Sequence, residues 1–232
     1  MKYKHIFFDL DRTLWDFDKS SFQAFQEIYK VYDLKTKGVE SLEKFYQVYT
    51  FYNDKLWDDY RKGTLTKEVL RGKRFLLTLQ DFGINEKELA EKIGEEYIRI
   101  SPLIANLFPE TKNILEYLSP KYNLHIITNG FSEVQEIKIK SAEIGEYFNT
   151  ITTSEEAGVK KPDKKIFEYA LKKADAKPEE CLMIGDDYEV DILGAESAGI
   201  SQVFFDPHKK HDLLKEIVDY YIVCLDELKK IL

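Results

Sequence analysis

The feature that most constrains the fold is a series of short apolar runs separated by longer segments with helical spacing. Five such runs are rich in β-branched and aromatic residues, which is typical of buried strands. They occupy positions 6–8, 124–127, 181–184, 202–205 and 220–223. Helical patterns separate the later runs, for example at 133–142, 164–174 and 191–198. Strands that alternate with helices predict an α/β fold with a parallel, doubly wound sheet.

The segment 17–101 has a different pattern from the rest of the chain. Its apolar residues recur at helical spacing, and no strand-like run interrupts them. One stripe contains Leu42, Phe45, Tyr46, Tyr49 and Leu56, and another contains Leu89, Ile93, Tyr97 and Ile100. Asn85, followed three positions later by Glu88, is typical of a helix-capping pair. We therefore expect an all-helical cap at 17–101, inserted into a core formed by 1–16 and 102–232.

Composition and charge limit the possible partners. The chain of 232 residues carries 34 Lys or Arg and 42 Asp or Glu, which gives a formal net charge of -8 at pH 7. Such a chain lacks the basic field that a nucleic acid polymer or an anionic membrane surface requires. Neither a signal peptide nor a membrane-spanning run is apparent, and Cys181 and Cys224 are isolated. We expect a cytoplasmic protein, and the sequence leaves its oligomeric state open.

Polar side chains follow three of the predicted strands at the point where each strand ends. These residues are Asp9 and Asp11, then Thr128 and Asn129, then Asp186 and Asp187. Ligands of doubly wound sheets bind beside the carboxyl ends of the strands, so these side chains form one candidate site. Lys161 joins them as a cation, because it precedes Pro162, which suits the first turn of the next helix.

The types of residue at this site favour phosphoryl transfer. Asp9 and Asp11 are two positions apart, so both side chains project to the same side of an extended chain. Asp9, ionised at neutral pH, can attack phosphorus, while Asp11 can protonate the leaving oxygen and later activate water. Lys161, the Thr128 hydroxyl and backbone amides near Asn129 would hold the other phosphate oxygens.

An excess of carboxylates predicts a metal ion at the same place. If the strand ends converge, five carboxylates lie near one cation, Lys161, before a phosphate dianion arrives. They belong to Asp9, Asp11, Asp186, Asp187 and Asp191. Carboxylate and carbonyl oxygens with retained waters suit Mg²⁺, which would neutralise the nucleophile against an anionic substrate.

Taken in order, these residues resemble the motifs of the haloacid dehalogenase superfamily, in the branch with a helical cap. The resemblance spans nearly the whole chain. The first motif matches Asp9, Asp11 and Thr13, the second Thr128, the third Lys161 before Pro162, and the fourth Gly185, Asp186 and Asp191. It implies a Rossmann-like core and Mg²⁺ held by Asp9, the backbone carbonyl of Asp11, and Asp186. Asp191 would support the site from behind, and Asp187 stays open between a ligand, a support and a helix cap.

A narrower similarity concerns the substrate. The stretches 13–17 and 128–131 are similar to those of pyrimidine nucleotidases in this superfamily, which implies a phosphatase for nucleoside 5′-monophosphates. Trp15 and Phe17 would then contact the base, with Trp57 as a further candidate, although aromatic residues at such positions commonly pack a core. Three alternatives stay open: a phosphomutase, a phosphatase for sugar phosphates or phosphoglycolate, and a non-catalytic binding protein.

Overall fold

The computed structural model describes residues 2–232, apart from the side chain of Asp212. The chain divides into two compact units. The first unit, the core, combines Met1–Phe17 with Ala105–Leu232, and the second, the helical unit, is Asp18–Ile104. Within the described residues, no helix combines the length and the apolar character that crossing a membrane would require.

The core contains a parallel sheet, so the predicted fold class is confirmed. Six strands form it among residues 2–232, in the spatial order β3-β2-β1-β4-β5-β6. They are β1 (His5–Phe8), β2 (Asn123–Thr128), β3 (Phe148–Thr153), β4 (Cys181–Gly185), β5 (Ser201–Phe205) and β6 (Tyr220–Ile222). Phe8 at the end of β1 lies opposite Ile126 of β2 and Ile184 of β4. The residues that follow these three strands therefore emerge at one edge of the sheet.

Four helices make up most of the helical unit. They are α1 (Phe17–Val31), α2 (Leu42–Arg61), α3 (Lys67–Asp81) and α4 (Lys87–Ile100). Phe25 is fully buried, and its ring centroid lies 4.4 Å from that of Tyr49 and 5.1 Å from that of Tyr97. The helical stripes thus form an aromatic core. The predicted capping role of Asn85 is wrong, because Glu86 occupies the N-cap position of α4 and its side chain makes no capping bond.

Helices of the core cover both faces of the sheet. They are α5 (Thr111–Leu118), α6 (Ser132–Ser141), α7 (Ser154–Ala157), α8 (Lys164–Lys173) and α9 (Gly194–Ser197). A π-helical turn, Tyr188–Leu193, leads directly into α9. Successive residues of β1 enter different apolar layers, since Ile6 and Phe8 pack with Leu115, whereas Phe7 packs with Phe167 of α8. Burial on both faces explains why the central strands are apolar without alternation.

Candidate active site

A buried ammonium group joins three parts of the core at the carboxyl edge of the sheet. Lys161 Nζ lies 2.6 Å from Asp9 Oδ1, 2.6 Å from Asp191 Oδ1 and 2.9 Å from the carbonyl oxygen of Ile127. Lys161 is 1% exposed and Asp9 is 7% exposed, so water screens these ion pairs weakly. The structure thus brings together three residues that are far apart in the sequence.

The Asn129 side chain fixes the loop that carries Lys161. Asn129 Nδ2 donates to the Lys161 carbonyl oxygen at 3.0 Å, and Asn129 Oδ1 accepts from the Lys161 amide nitrogen at 2.8 Å. The Asn129 side chain is therefore committed to the backbone rather than turned to a substrate. Pro162 does not lie in the first turn of a helix as expected, because α8 begins at Lys164 and Asp163 caps it, with Oδ1 accepting from Lys165 N at 2.9 Å.

Asp187 and Asp191, which both follow β4, make different contacts. Asp191 Oδ2 accepts from the Asp187 amide nitrogen at 3.2 Å, so both Asp191 oxygens are occupied. A Cβ on Gly185 would lie 2.4 Å from the Asp191 Cβ, and only glycine leaves room for this arrangement. Asp187 Oδ1 accepts from Glu189 N at 3.1 Å and Val190 N at 3.0 Å. Of the alternatives left open for Asp187, the structure shows the helix cap.

Asp186 completes a cluster of carboxylates with Asp9 and Asp191. One oxygen from each of the three lies within 4.8 Å of the others. Thr13, which is fully buried, donates from Oγ1 to Asp186 Oδ1 at 3.2 Å and orients that side chain. Burial, reinforced by the charges of Asp9 and Asp191, holds the pKa of Asp186 well above its ordinary value.

Burial and the neighbouring charge of Lys161 act on the pKa of the Asp9 carboxyl group in opposite directions. Burial, helped by the negative charges of Asp191 and Asp11, raises the pKa of Asp9 to about 7 although Lys161 acts in the opposite direction. Burial thus opposes the ionised form of Asp9, and the charge of Lys161 favours it. For Lys161, burial lowers the pKa, but the Asp191 and Asp9 carboxylates outweigh it, so the net pKa is raised and the side chain stays charged.

Asp11 has two partners on α6 that were not among the expected site residues. Lys138 Nζ donates to Asp11 Oδ1 at 2.5 Å, and Gln135 Nε2 donates to Asp11 Oδ2 at 2.8 Å. The same Gln135 nitrogen lies 3.1 Å from Thr128 Oγ1. Gln135 and Lys138 are three positions apart and so lie on one face of the helix, but this spacing alone does not distinguish them from other polar pairs in the sequence.

The balance of charge differs from the expected five carboxylates near one cation. Asp11 is paired with Lys138, and Asp187 is a helix cap. The positive charge of Arg12 also lowers the pKa of Asp186 within its overall rise. What remains is a smaller excess, in which Asp9 and Asp191 contact the ammonium group of Lys161 and Asp186 lies beside these two carboxylates.

The aromatic residues after β1 are packed more tightly than a base-binding role predicts. Trp15 is 1% exposed and belongs to the apolar cluster of the core, so its surface is covered. Phe17 is half-buried, and the Arg12 guanidinium lies 5.1 Å from its ring centroid. Arg12 has a φ of 64°, which is uncommon for a residue other than glycine. Trp57, on α2, is half-buried and makes an edge contact with Tyr60.

Comparison with known families agrees with the four motifs. Residues 3–199 match the haloacid dehalogenase-like hydrolases. The chain belongs to this family. Among haloacid dehalogenase-like hydrolases, it is 32% identical to pyrimidine 5′-nucleotidase YjjG of Escherichia coli over 234 residues, covering 100% of this chain and 99% of that protein. It is also 32% identical to a glyceraldehyde 3-phosphate phosphatase of Pyrococcus furiosus over 241 residues, covering 99% of this chain and 92% of that protein.

A solved haloacid dehalogenase-like structure has the same fold. It is that of the HAD-hydrolase YfnB of Bacillus subtilis, which is bound to magnesium. The two chains are 25% identical, and they superpose with a TM-score of 0.88 over 100% of this chain and 99% of that one. The family and fold inferred from the motifs are thereby confirmed.

The donor set of this haloacid dehalogenase-like hydrolase fits a divalent cation. Carboxylate oxygens are the ligands that Mg²⁺ prefers, and three of them lie within 4.8 Å of one another at the carboxyl edge of the sheet. Both oxygens of Asp191 already accept hydrogen bonds. Asp186 has an oxygen without a hydrogen-bond partner in the described part of the chain, so it is better placed than Asp191 as a side-chain ligand.

Proposed function

We propose that this chain is a Mg²⁺-dependent phosphatase that uses Asp9 as the nucleophile on nucleoside 5′-monophosphates. The observation that carries this proposal is the asymmetric environment of the Asp9 carboxylate. Oδ1 is held by Lys161 at 2.6 Å, whereas Oδ2 accepts no hydrogen bond from residues 2–232. One oxygen is fixed and the other is available, which is the arrangement that a carboxylate nucleophile requires.

The proposed reaction has two steps. In the first, Asp9 Oδ2 attacks phosphorus, the bond from phosphorus to the ester oxygen breaks, and Asp11 gives that oxygen a proton. In the second, Asp11 takes a proton from water, the water oxygen attacks the aspartyl phosphate, and inorganic phosphate leaves with Asp9 regenerated. Each step uses Asp11 in the opposite sense, so the two aspartates have different tasks.

The remaining groups would hold the phosphate. Thr128 Oγ1 accepts from Gly130 N at 3.0 Å and from Gln135 Nε2 at 3.1 Å. With both acceptor positions used, the hydroxyl proton is free to be donated to a phosphate oxygen. Mg²⁺ would be held by Asp9, Asp186 and the backbone carbonyl of Asp11, and when bound it would supply positive charge against the phosphate dianion.

Substrate class is the finer part of the proposal. YjjG is named a pyrimidine 5′-nucleotidase, and its similarity extends over 100% of this chain. We assign selection of the leaving group to the helical unit, acting as a cap. A phosphatase of triose or sugar phosphates is the second candidate, because the relative from Pyrococcus furiosus reaches the same identity of 32%.

Cys181 and Cys224, both free thiols, fit a reducing compartment, and we place the enzyme in the cytoplasm.

Steady-state phosphate release from a panel of substrates tests both levels of the proposal. The panel contains uridine, thymidine and adenosine monophosphates beside glucose 6-phosphate, glyceraldehyde 3-phosphate and phosphoglycolate, all with Mg²⁺. We expect kcat/KM to be at least several-fold higher for the nucleotides. If a sugar or triose phosphate leads, the nucleotidase assignment is wrong and the phosphatase assignment stands. If no phosphate is released but a sugar phosphate is isomerised in the presence of a bisphosphate activator, the enzyme is a phosphomutase. The absence of both phosphate release and isomerisation with every compound would contradict both levels of the proposal.

A further inference from the structure

The contacts of Asp11 indicate a function for α6 beyond packing. Lys138 and Gln135 donate to different oxygens of the Asp11 carboxylate, at 2.5 Å and 2.8 Å. A carboxylate held on both oxygens by donors from one rigid helix has a fixed position and a fixed plane. Gln135 also lies 3.1 Å from Thr128 Oγ1, so one amide group links the proposed acid to the proposed phosphate-binding hydroxyl.

The Gln135 amide is oriented for this task at a cost. Its Oε1 atom is buried and has no hydrogen-bond partner in the described part of the chain. An unsatisfied buried acceptor is unfavourable, so packing alone does not account for the orientation. The reverse orientation would place an amide oxygen against the Asp11 carboxylate. Contact with Asp11 and Thr128 therefore determines how the amide is turned.

The surroundings of Lys138 restrict where its ammonium group can go. Its side chain is 7% exposed, and its Nζ lies 5.5 Å from the Trp15 ring centroid and 5.6 Å from that of Phe17. Two aromatic rings beside a buried ammonium group attract it through cation-π interactions and help to hold it in place. Lys138 is thus held against one oxygen of Asp11 by the very residues that follow Asp11 in the sequence.

We propose that Lys138 and Gln135 are positioning residues that align Asp11 for proton transfer to the leaving oxygen. This inference rests on the proposed phosphatase function and adds to it a separate set of residues, located on α6. Lys138 acts only through Asp11 and does not bind the phosphate. Its removal should therefore slow reactions in which Asp11 must deliver a proton, and leave reactions that need no such proton nearly unchanged.

Two substrates with different leaving groups separate positioning from phosphate binding. Uridine monophosphate has a poor leaving group that needs a proton, whereas p-nitrophenolate leaves without one. The quantity compared is kcat/KM, since it reports phosphoryl transfer to Asp9 and excludes the later hydrolysis. For Lys138→Met, we expect kcat/KM to fall about 10- to 100-fold with uridine monophosphate, which is part of what acid-base catalysis contributes. With p-nitrophenyl phosphate it should fall less than about threefold.

Three further variants make the test specific to Asp11. In an Asp11→Asn background, Lys138→Met should cause no additional fall with uridine monophosphate, because residues that act through one another are not additive. Lys138→Arg keeps a charged donor and should stay within about fivefold of wild type with either substrate. Lys140→Met is the matched control, because Lys140 is exposed on the same helix and should leave both values unchanged.

The outcomes distinguish this inference from the function on which it rests. An equal loss with both substrates, or a loss that adds to that of Asp11→Asn, would overturn the positioning role while the wild type still releases phosphate. Wild-type protein that releases no phosphate from either substrate overturns the function and the inference together. If Lys138→Met does not fold, as checked by thermal unfolding, Lys138→Arg decides, and a uniform loss there above about tenfold contradicts the proposal.

Discussion

Titratable groups are buried near the amino ends of the parallel strands, here called the amino edge, and near their carboxyl ends, the carboxyl edge. The groups at the amino edge are neutral, whereas those at the carboxyl edge include a charged lysine. At the amino edge, His5 Nδ1 lies 3.1 Å from His125 Nε2, and His125 Nδ1 lies 2.8 Å from Thr150 Oγ1. Burial lowers the pKa of His125 to about 4, so the ring is neutral at pH 7. At the carboxyl edge, Lys161 stays charged between Asp9 and Asp191.

The two edges differ in whether their buried polar groups have enough hydrogen-bond and charge partners. The His125 ring nitrogens both have partners, and its ring stacks on Phe7 with centroids 4.6 Å apart. At the carboxyl edge, Asp9 and Asp191 share the Lys161 ammonium group with Asp186 beside them, and burial holds the pKa of Asp9 and Asp186 above their ordinary values. A neutral, hydrogen-bonded cluster stabilises the fold. A cluster with excess negative charge costs stability, is expected at a reactive site, and would be stabilised by a bound cation.

The largest expected effect is on turnover when the reactive edge loses its nucleophile. Asp9→Asn should lower kcat by about 10⁴-fold or more, because an amide of similar size cannot attack phosphorus. Steady-state phosphate release with Mg²⁺ measures it. Thermal unfolding should show that the variant is folded.

The exposed residue Asp175, in the turn after α8, provides the matched control. Asp175→Asn makes the same chemical change far from any proposed role and should keep wild-type turnover. Retention of more than a tenth of wild-type turnover in folded Asp9→Asn would contradict covalent catalysis by Asp9. It would also remove the reason to call the carboxyl edge the reactive one.

Removal of the cation should have the next largest effect. EDTA should abolish turnover and Mg²⁺ restore it. At a Mg²⁺ concentration about 100 times its Kd, binding adds about 2.7 kcal/mol to the free energy of unfolding. For a chain of this size that corresponds to a rise in Tm of about 5–10 °C. Asp186→Asn should reduce the rise to below about 2 °C, because the cluster loses a charged ligand.

The neighbouring residue Asp187 sharpens this measurement. Asp187→Asn keeps a capping side chain, and we expect it to keep the full Mg²⁺-dependent rise in Tm. Ca²⁺ should also raise Tm but support little turnover, since it takes more ligands at longer distances. Full turnover in EDTA, or an equal rise in Tm for Asp186→Asn and wild type, would show that these carboxylates do not hold a metal.

The smallest expected effect concerns the amino edge and acid pH. The pKa of His125 is lowered in the folded protein, mainly by burial and also by His5, so the folded state binds fewer protons than the unfolded chain. The corresponding stability is fully present above the unfolded pKa of about 6.5 and is lost as the pH falls toward 4. After a discount for solvent screening, we expect a loss of about 2 kcal/mol.

Urea unfolding of wild type and His125→Gln at several pH values isolates this contribution. Gln keeps hydrogen-bonding groups but does not titrate, so its stability should fall about 2 kcal/mol less between pH 7 and pH 4. His208→Gln is the control, because His208 is exposed. Parallel pH profiles for His125→Gln and wild type would mean that the amino edge is not held neutral by burial.

Sequence patterns predicted five of the six described strands and missed β3. β1, β2 and β4 are buried along nearly their whole length, which produces recognisable apolar runs. β3 lies at one edge of the sheet and is only partly buried, so its sequence, FNTITT, has no such run and was not expected to be a strand. Partial burial removes the signal on which strand prediction depends.

The site was predictable where its residues directly follow strands. Asp9, Thr128 and Asp186 fall at the strand ends where parallel topology concentrates ligands. Gln135 and Lys138 lie on a helix, and a lysine in a chain with 34 Lys and Arg residues is indistinguishable from a solvated one. Trp15 was expected to contact a base because the stretch 13–17 is similar to that of pyrimidine nucleotidases. Only the folded chain shows that its ring belongs to the apolar core.

The close approach of Gly130 to the Gln135 side chain makes the residues allowed at these two positions depend on each other. A Cβ on residue 130 would lie 1.6 Å from Gln135 Nε2, so no side chain other than hydrogen is compatible with the Gln135 amide where it stands. A mutation at position 130 would first displace the amide that contacts Asp11 and Thr128. Because the Gln135 side chain is flexible, a larger residue at position 130 would be accommodated by moving this amide away from Asp11 and Thr128, so we expect such a change to act on the site through Gln135.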